Sequence, residues 1–283
     1  MIMFLLYTLT VLVILVAVIA GVVAIAKLMF NNSVRKQVNH MFHNISNLKT
    51  EIIRKEDLAG LPIPVQKWLI GTHIIGKEKI INVRLEQKGQ MRTKQGGPWM
   101  PVQAVQYFRV DEPGFVWKAH VKIAPLLHMS GVDNYHKGKG IMNIMLLSLF
   151  SVVKAKGPEM DFSTMVRYLA EMPWFPTAAL HPYIQWEAID EHSSRATMSY
   201  QGVSASGVFS FNEKSDLISF FTKRYKEING KYVLSDWGGI NTEFKEFNGI
   251  RIPSKSEVIW KEKSGDFNWF QLEITGIEYN QRF

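Results

Sequence analysis

The pattern of hydrophobic and polar residues divides the chain into three parts, of which the first is an uninterrupted apolar run. No charged side chain occurs from Met1 to Ala26. At about 1.5 Å per residue, this run forms a helix of about 39 Å, longer than the roughly 30 Å hydrocarbon core of a bilayer. Residues 1–30 are therefore predicted to be a transmembrane anchor.

A cleaved signal peptide is the alternative interpretation of this run. Ala24 and Ala26 flank Ile25 in the small-x-small arrangement of a cleavage site. However, no Lys or Arg precedes the run, and the run is about twice as long as the apolar region of a signal peptide. Retention as an anchor is the favoured interpretation.

An amphipathic helix is predicted after the anchor, over residues 33–53, within a stalk segment taken as residues 31–56. Ser33 is a suitable N-cap. The apolar residues after it recur at alternating spacings of four and three, namely Val34, Val38, Met41, Ile45, Leu48 and Ile52. Two interpretations remain open, because this seam either dimerises as a stalk, giving a weak homodimer, or packs against the domain of its own chain.

Beyond residue 78 the hydrophobic period changes to two, which is typical of half-buried antiparallel strands. In 115–123, for example, every odd position is apolar and three of the four even positions are Lys or His. Further strands are predicted over 83–92, 102–110, 184–190, 194–200, 206–212, 217–226, 240–247, 251–261 and 267–278. Residues 57–283 are predicted to form a single β-rich domain. The predicted fold class is α+β and mainly antiparallel β, with a curved sheet or open barrel around one inserted helix.

One helix is predicted to interrupt the strands. Asp161 is a suitable cap, and Pro173 ends the helix. Its apolar stripe consists of Phe162, Met165, Val166 and Leu169. Arg167 and Glu171 lie four residues apart on the opposite face, where they can form an ion pair. The apolar stretch Ile141–Val153 is too short to span a membrane and is predicted to be a deeply buried strand or a lid segment.

Composition and charge narrow the function classes. The 283 residues include no cysteine, which excludes disulfide scaffolds, thiol catalysis and thiolate metal sites. The net charge is +8, but no basic groove carries stacked aromatic residues, so nucleic acid is not an expected partner. Membrane lipids are the expected partners. Lys27, Arg35 and Lys36 follow the charge-free run Met1–Ala26 and no basic residue precedes it, which predicts a soluble domain on the cytoplasmic face.

The motifs of common catalytic sites are absent from the sequence, which contains no GxxxxGK[ST], GxGxxG, GxSxG or HExxH. The candidates for acid–base or metal chemistry are His120, His128, Asp133 and His136, on neighbouring predicted strands. Separate surface histidines explain the same pattern. No metal and no cofactor is predicted, and the missing motifs favour binding over catalysis.

Two large aromatic residues, Trp174 and Phe175, lie between prolines just after the predicted helix. Such a corner is either a rigid part of the core or the wall of an apolar pocket. If the curved sheet holds an apolar ligand, Arg167 and Glu171 are expected at the mouth of the cavity. The residues expected to line it are Trp117, Met145, Phe162, Met165, Leu169, Trp174 and Phe175.

Several motifs resemble an uncharacterised family of bacterial membrane-anchored proteins. They include Asp57-Leu-Ala-Gly-Leu-Pro-Ile-Pro-Val, Gly157-Pro-Glu and, most specifically, Arg167-Tyr-Leu-Ala-Glu-Met-Pro-Trp-Phe-Pro-Thr-Ala. The similarity covers residues 56–280. That family has no assigned activity, so the resemblance implies a domain of unknown function and no mechanism.

A second resemblance lies near the C-terminus. The motifs Phe247-Asn-Gly-Ile-Arg-Ile-Pro and Ile274-Thr-Gly-Ile-Glu-Tyr-Asn are similar to the closing strands of lipoprotein-carrier (LolA-like) folds. Those proteins bend an antiparallel sheet around a helix and hold acyl chains in the concavity. The resemblance implies the same kind of fold and ligand, and no ligand-binding residue is transferred from it.

The function predicted from the sequence is a membrane-anchored, non-catalytic binding protein for a lipid or another apolar ligand, such as an acyl chain. One alternative is a hydrolase, with or without a metal, that uses His128, Asp133 and His136. The other is a membrane-associated scaffold that dimerises through the 33–53 helix. The interior of the sheet distinguishes them, since a packed interior indicates a scaffold, an apolar cavity a lipid-binding protein and a polar cleft an enzyme.

Overall fold

The computed structural model describes residues 1–43, 45 and 51–281, and in this part thirteen strands form one antiparallel sheet. Their bounds are β1 Asn82–Met91, β2 Met100–Arg109, β3 Gly114–Ala124, β4 Leu127–His136, β5 Lys139–Leu146, β6 Phe150–Lys156, β7 Ile184–Asp190, β8 Ser193–Tyr200, β9 Val203–Phe211, β10 Leu217–Ile228, β11 Lys231–Phe247, β12 Ile250–Glu262 and β13 Gly265–Tyr279. The order across the sheet is β6-β5-β4-β3-β2-β1-β13-β12-β11-β10-β9-β8-β7. This open, curled, mainly antiparallel sheet confirms the predicted fold class.

The inner face of the sheet carries two helices and the main hydrophobic core. The helices are α2 (Ile63–Gly71) and α3 (Pro158–Glu171), and two short 3₁₀ helices follow α3. Phe108, Tyr168 and Phe175 meet in this core with almost no exposed surface. Their ring centroids lie 4.5 Å (Phe108 to Phe175) and 5.2 Å (Tyr168 to Phe175) apart. The interior described here is thus packed with side chains, which is the outcome expected of a scaffold and leaves no apolar cavity between these residues. Any apolar ligand therefore has to bind outside this interior.

The N-terminal helix α1 runs without a break from Ile2 to Met41. It is long and apolar enough to cross a membrane, by a test that signal sequences also pass. Its large apolar side chains are exposed up to Met29. The helix then packs on the outer face of the sheet, against Val116 and Val132, through the buried residues Phe30, Val34, Val38 and Met41.

The predicted separate helix over residues 33–53 is therefore corrected. Ser33 is an interior residue of α1, the helix ends at Met41, and Ile52 pairs in an isolated antiparallel bridge. Leu48 lies outside the described residues. The first part of the predicted seam packs on the chain's own sheet, where residues of β3 and β4 cover the apolar face of the helix. This contact supports the second interpretation of the seam.

Arg109 closes the C-terminal end of α1. Its buried guanidinium donates from Nη1 to the Met41 carbonyl oxygen at 2.8 Å, and from Nε and Nη2 to the Asp111 carboxylate at 2.9 and 2.7 Å. The last carbonyl groups of a helix lack partners within the helix, and a positive charge there is favourable. The end of α1 is thus joined to the turn between β2 and β3.

The apolar stretch Ile141–Val153 is not the deeply buried strand or lid that its composition predicts. It forms the hairpin of β5 and β6, and β6 is an edge strand. Leu147 and Ser148 adopt φ values of 53° and 60° in the turn and so divide the run. Phe150 and Val152 are more than half exposed. The prediction failed because this hairpin presents apolar residues to the surface.

Helix α3 begins earlier than predicted, after Gly157 with φ 116°. Asp161 is consequently not the cap but lies in the first turn. Its carboxylate accepts hydrogen bonds from the Gly140 backbone nitrogen at 2.8 Å and from Lys139 Nζ at 2.9 Å. The helix ends at Glu171, just before Pro173 as expected. Asp161 thus joins α3 to β5.

Gly140 allows β5 to approach α3 closely, which generates a prediction about stability. A Cβ at this position would overlap the Thr164 hydroxyl and the Met160 carbonyl oxygen. We expect Gly140→Ala to lower the free energy of unfolding by about 2–3 kcal/mol, a typical cost of overpacking. Chemical denaturation in detergent measures it. Gly71→Ala is the control, because no atom lies within 4 Å of a Cβ there, and equal losses in both variants would contradict the account.

Candidate functional site

A buried cluster of charges lies on the inner face, where the side chain of Arg167 extends from α3 to residues of β3 and β4. Arg167 of α3 donates from Nη1 to Asp133 Oδ2 at 2.6 Å and from Nε to Glu171 Oε1 at 2.8 Å. Between 12% and 16% of each of these three side chains is exposed. The guanidinium also lies over the rings of Trp117 and Phe115, 4.6 and 5.0 Å from their centroids. Arg167 is thus held on several sides at once.

Two glutamines extend this cluster along the sheet. Gln106 Nε2 donates to Glu171 Oε2 at 2.7 Å, and Trp117 Nε1 donates to Gln87 Oε1 at 2.9 Å. Gln106 and Trp117 are direct partners in the register of β2 and β3, so their side chains share the inner face. Burial raises the pKa of Glu171, and the charge of Arg167 opposes that rise. The cluster is a largely buried polar network.

A second arginine, Arg224 of β10, lies near this network. Its guanidinium is 4.6 Å from the ring centroid of Trp237. Burial and the like charge of Arg167 lower the pKa of Arg224 to about 10, and Asp133 and Glu171 partly oppose this change. The two arginines and two carboxylates balance in formal charge. These opposite charges hold one another's side chains in place at the centre of the inner face.

The residues expected to line a cavity fall on both sides of the sheet. Met165, Leu169, Trp174 and Phe175 are buried in the packed core, as is Trp117. Phe162 is half-buried, and Arg167 and Glu171 form the predicted ion pair at the centre of the inner face instead of at a cavity mouth. Met145 packs on the outer face, with α1. Sequence spacing did not reveal that β5 turns this residue away from α3.

The histidines singled out for chemistry do not form one site. His120 and His128 are neighbours, with ring centroids 4.5 Å apart. His136 lies at the other end of β4, where its ring is 5.2 Å from that of His40. Asp133 occupies an odd position of β4 and points to the inner face, where it binds Arg167. Among the described residues no group of three or more His, Cys, Asp and Glu side chains can hold a metal.

A groove of about 850 Å³ lies on the outer face, between α1 and the strands β4 to β6. We call it the outer groove. The residues of α1 that line it are Val22, Ile25, Ala26, Met29, Phe30, Ser33 and Gln37. The sheet side consists of Val132, Asn134, His136, Lys139, Ile141, Asn143, Met145, Ser148, Leu149 and Lys154. The volume lies within the range of small-molecule pockets in proteins.

The outer groove is apolar at one end and polar at the other. Val22, Ile25 and Met29 line the end towards the start of α1. Towards the end of α1, Gln37 Oε1 accepts a hydrogen bond from Asn134 Nδ2 at 2.9 Å, and His136 lies beside this pair. Burial lowers the pKa of His136, as do His40, Lys137 and Arg109. The groove can therefore accommodate an amphipathic molecule.

Sequence reasoning missed the outer groove, Gln87, Gln106 and Arg224. The groove forms between parts of the chain about a hundred residues apart, so no local pattern reports it. The one available signal was Val132. It alternates with inward-facing residues of β4 and so faces outwards, but the period-two pattern did not reveal this strand. Nothing in the sequence distinguishes Arg224 from an arginine that faces solvent.

The buried network predicts the effect of removing its central cation. Arg167→Met leaves the carboxylates of Asp133 and Glu171 without their main partner, so we expect a loss of about 3–5 kcal/mol in the free energy of unfolding at neutral pH. Without the arginine, the pKa of each carboxyl in the folded state rises further. The loss is therefore largest at neutral pH and becomes smaller as the pH falls through the raised pKa values of the folded variant. It disappears below the ordinary carboxyl pKa, where both groups are protonated in either state.

Denaturation curves at several pH values check this expectation. Arg195→Met is the matched control, because Arg195 is half exposed and its contact with Glu187 is 3.8 Å long. We expect a change below about 0.5 kcal/mol there. A loss in Arg167→Met that is small, or that does not depend on pH, would contradict the role given to the network.

The solved structures similar to this chain share little sequence with it. A domain assigned as an outer membrane lipoprotein-sorting protein, from Vibrio parahaemolyticus, is 8% identical with a TM-score of 0.41, over 71% of this chain and 86% of its own. A LolA superfamily protein from Nitrosomonas europaea is 10% identical with a TM-score of 0.36, over 72% of this chain and 88% of its own. A DUF1329 family protein from Desulfovibrio piger is 9% identical with a TM-score of 0.42, over 78% and 93%. Similarity this low says nothing about what the chain binds.

The comparison by sequence is more decisive about the family. No curated protein matches the chain significantly. The profile of a family of unknown function, DUF6544, matches residues 51–272, which is most of the chain and nearly all of the sheet. This match agrees with the resemblance to an uncharacterised family. The chain belongs to DUF6544, a family of unknown function.

Proposed function

We propose that this protein is a membrane-anchored binding protein for a lipid or another apolar ligand, and that the outer groove is its binding site. The observation that carries the proposal is that one helix supplies both parts. Val22, Ile25 and Ala26 belong to the charge-free segment of α1, and the same residues line the apolar end of the groove. A molecule with an acyl chain can therefore move between the bilayer and the groove without crossing water.

The anchor itself is supported by the continuity of α1. The helix continues from the apolar segment onto the outer face of the sheet, where it buries Phe30, Val34 and Val38. It is therefore an integral part of the fold. Each such side chain contributes roughly 1.5–3 kcal/mol by burial. Lys27, Arg35 and Lys36 follow the apolar segment, so we propose that the folded domain lies on the cytoplasmic face.

The polarity of the groove assigns an orientation to the ligand. The acyl chain lies along Met29, Met145 and Leu149, because these side chains are apolar and adaptable in shape. A polar headgroup lies at Gln37, Asn134 and Lys139, where hydrogen-bond donors are available. In this assignment Met145 contacts the ligand, whereas the other residues singled out from the sequence form the core and the buried network that support the sheet.

Filling the groove tests this function. We expect Ser33→Trp to block the middle of the groove, because Ser33 is an exposed residue of α1 that lines it. Native mass spectrometry of the full chain, released from lipid nanodiscs, measures the retained lipid, and a fluorescent fatty acid measures uptake. The wild-type protein should retain lipid, and the variant should lose at least about tenfold in affinity, which corresponds to about 1.4 kcal/mol.

Lys36→Trp is the matched control. Lys36 is exposed on the same helix, three residues further on, and does not line the groove. Circular dichroism and thermal unfolding confirm that both variants remain folded. Equal lipid retention and equal uptake in Ser33→Trp, Lys36→Trp and the wild type would overturn the proposed site, and no lipid in the wild type would overturn the function.

A further inference from the structure

Two turns at one end of the sheet expose large apolar side chains. Successive strands of an antiparallel sheet alternate in direction, so the β3–β4 and β5–β6 turns lie at the same end. Leu126, in the first turn, is 98% exposed and has a φ of 64°, a conformation that is unfavourable for leucine. Phe150, beside the second turn, is 60% exposed. Large apolar side chains exposed together at one end of a sheet are typical of a surface that contacts a partner or a membrane.

The position of these turns along α1 identifies the partner. Ser148 and Leu149 of the β5–β6 turn line the same groove as Val22 and Ile25, within the charge-free segment of α1. The end of the sheet that carries both turns is therefore level with the last turns of the segment that is apolar enough to enter a bilayer.

The histidines near these turns agree with this alignment. Burial lowers the pKa of both His120 and His128, and the charge of Lys27 lowers both further, with His128 also contributing at His120. Lys27 is the first charged residue after the apolar segment. His120 of β3 is thus near the level of Lys27. Strand β3 continues for four more residues beyond His120 to Ala124, which is about 13 Å further towards the β3–β4 turn.

The charge of this part of the sheet fits an anionic surface. Residues 114–157 include six lysines and a single acidic residue, Asp133. That carboxylate is bound by Arg167 on the inner face. Lys122 and Lys154 are exposed close to the two turns. A basic surface with exposed apolar residues at its tip is typical of segments that lie in the headgroup region of anionic membranes.

We propose that the β3–β4 and β5–β6 turns form a second membrane contact, with Leu126 and Phe150 inserted into the boundary between headgroups and acyl chains. This inference rests on the proposed function, because it requires α1 to be anchored in a membrane. The contact directs the mouth of the outer groove towards the bilayer. It also covers the tip of the edge strand β6, whose unpaired backbone groups would otherwise be open to pairing with another chain.

Fluorescent labelling tests the contact directly, because the chain contains no cysteine to interfere. Leu126→Cys and Phe150→Cys are labelled with the environment-sensitive dye NBD. The full chain is then reconstituted in phosphatidylcholine vesicles that contain phosphatidylglycerol. Ile189→Cys is the control, because Ile189 is also an exposed apolar residue but lies on β7, at the opposite edge of the sheet. We expect a blue-shifted emission and quenching by brominated lipids at 126 and 150, and neither at 189.

Flotation of the vesicles on a density gradient separates the two proposals. If the chain floats and the labels at 126 and 150 are quenched as predicted, the second contact is supported. If the chain floats but both labels remain in water, the anchor stands and the second contact is overturned. If the chain does not float, both proposals are overturned.

Discussion

The structure depends on the packing of the C-terminal part of α1 against the outer face of the sheet. Phe30, Val34 and Val38 are buried on Val116 and Val132, and Arg109 donates to the carbonyl oxygen of Met41, the last residue of the helix. This contact makes the apolar segment and the sheet parts of one folded unit instead of an anchor with a loose linker. In the proposed membrane-anchored protein, the helix then determines the position of the sheet and of the outer groove relative to the bilayer.

The two faces of the sheet have different roles. The inner face is packed, and its buried charges are balanced within the network around Arg167. Removing one partner of such a buried pair is costly, because it leaves an uncompensated buried charge, so the members of the network depend on one another. The outer face carries the groove and the exposed apolar turns. The rigid inner face provides the scaffold on which the outer face is presented.

Much of the fold could be predicted from local patterns, because most strands have one buried and one solvated face. The bounds predicted for the strand at 184–190 agree with β7, and β2, β8 and β12 differ by only one or two residues. The strands β4 to β6 were missed or misjudged, since Val132 and Met145 pack on α1 and remove the alternation. Arg167 was expected at the mouth of a cavity. Its burial depends on Asp133, thirty-four residues earlier, which sequence spacing does not bring into contact.

We propose that α1 and the sheet move as one body in a membrane. A pair of spin labels, one replacing Arg35 on α1 and one replacing Arg195 on β8, tests it in the full chain in lipid nanodiscs, since the protein has no cysteine of its own. Double electron–electron resonance measures the distribution of distances between the two labels. A rigid connection between α1 and the sheet gives a single narrow distribution. A broad distribution, typical of a domain on a flexible tether, would contradict it.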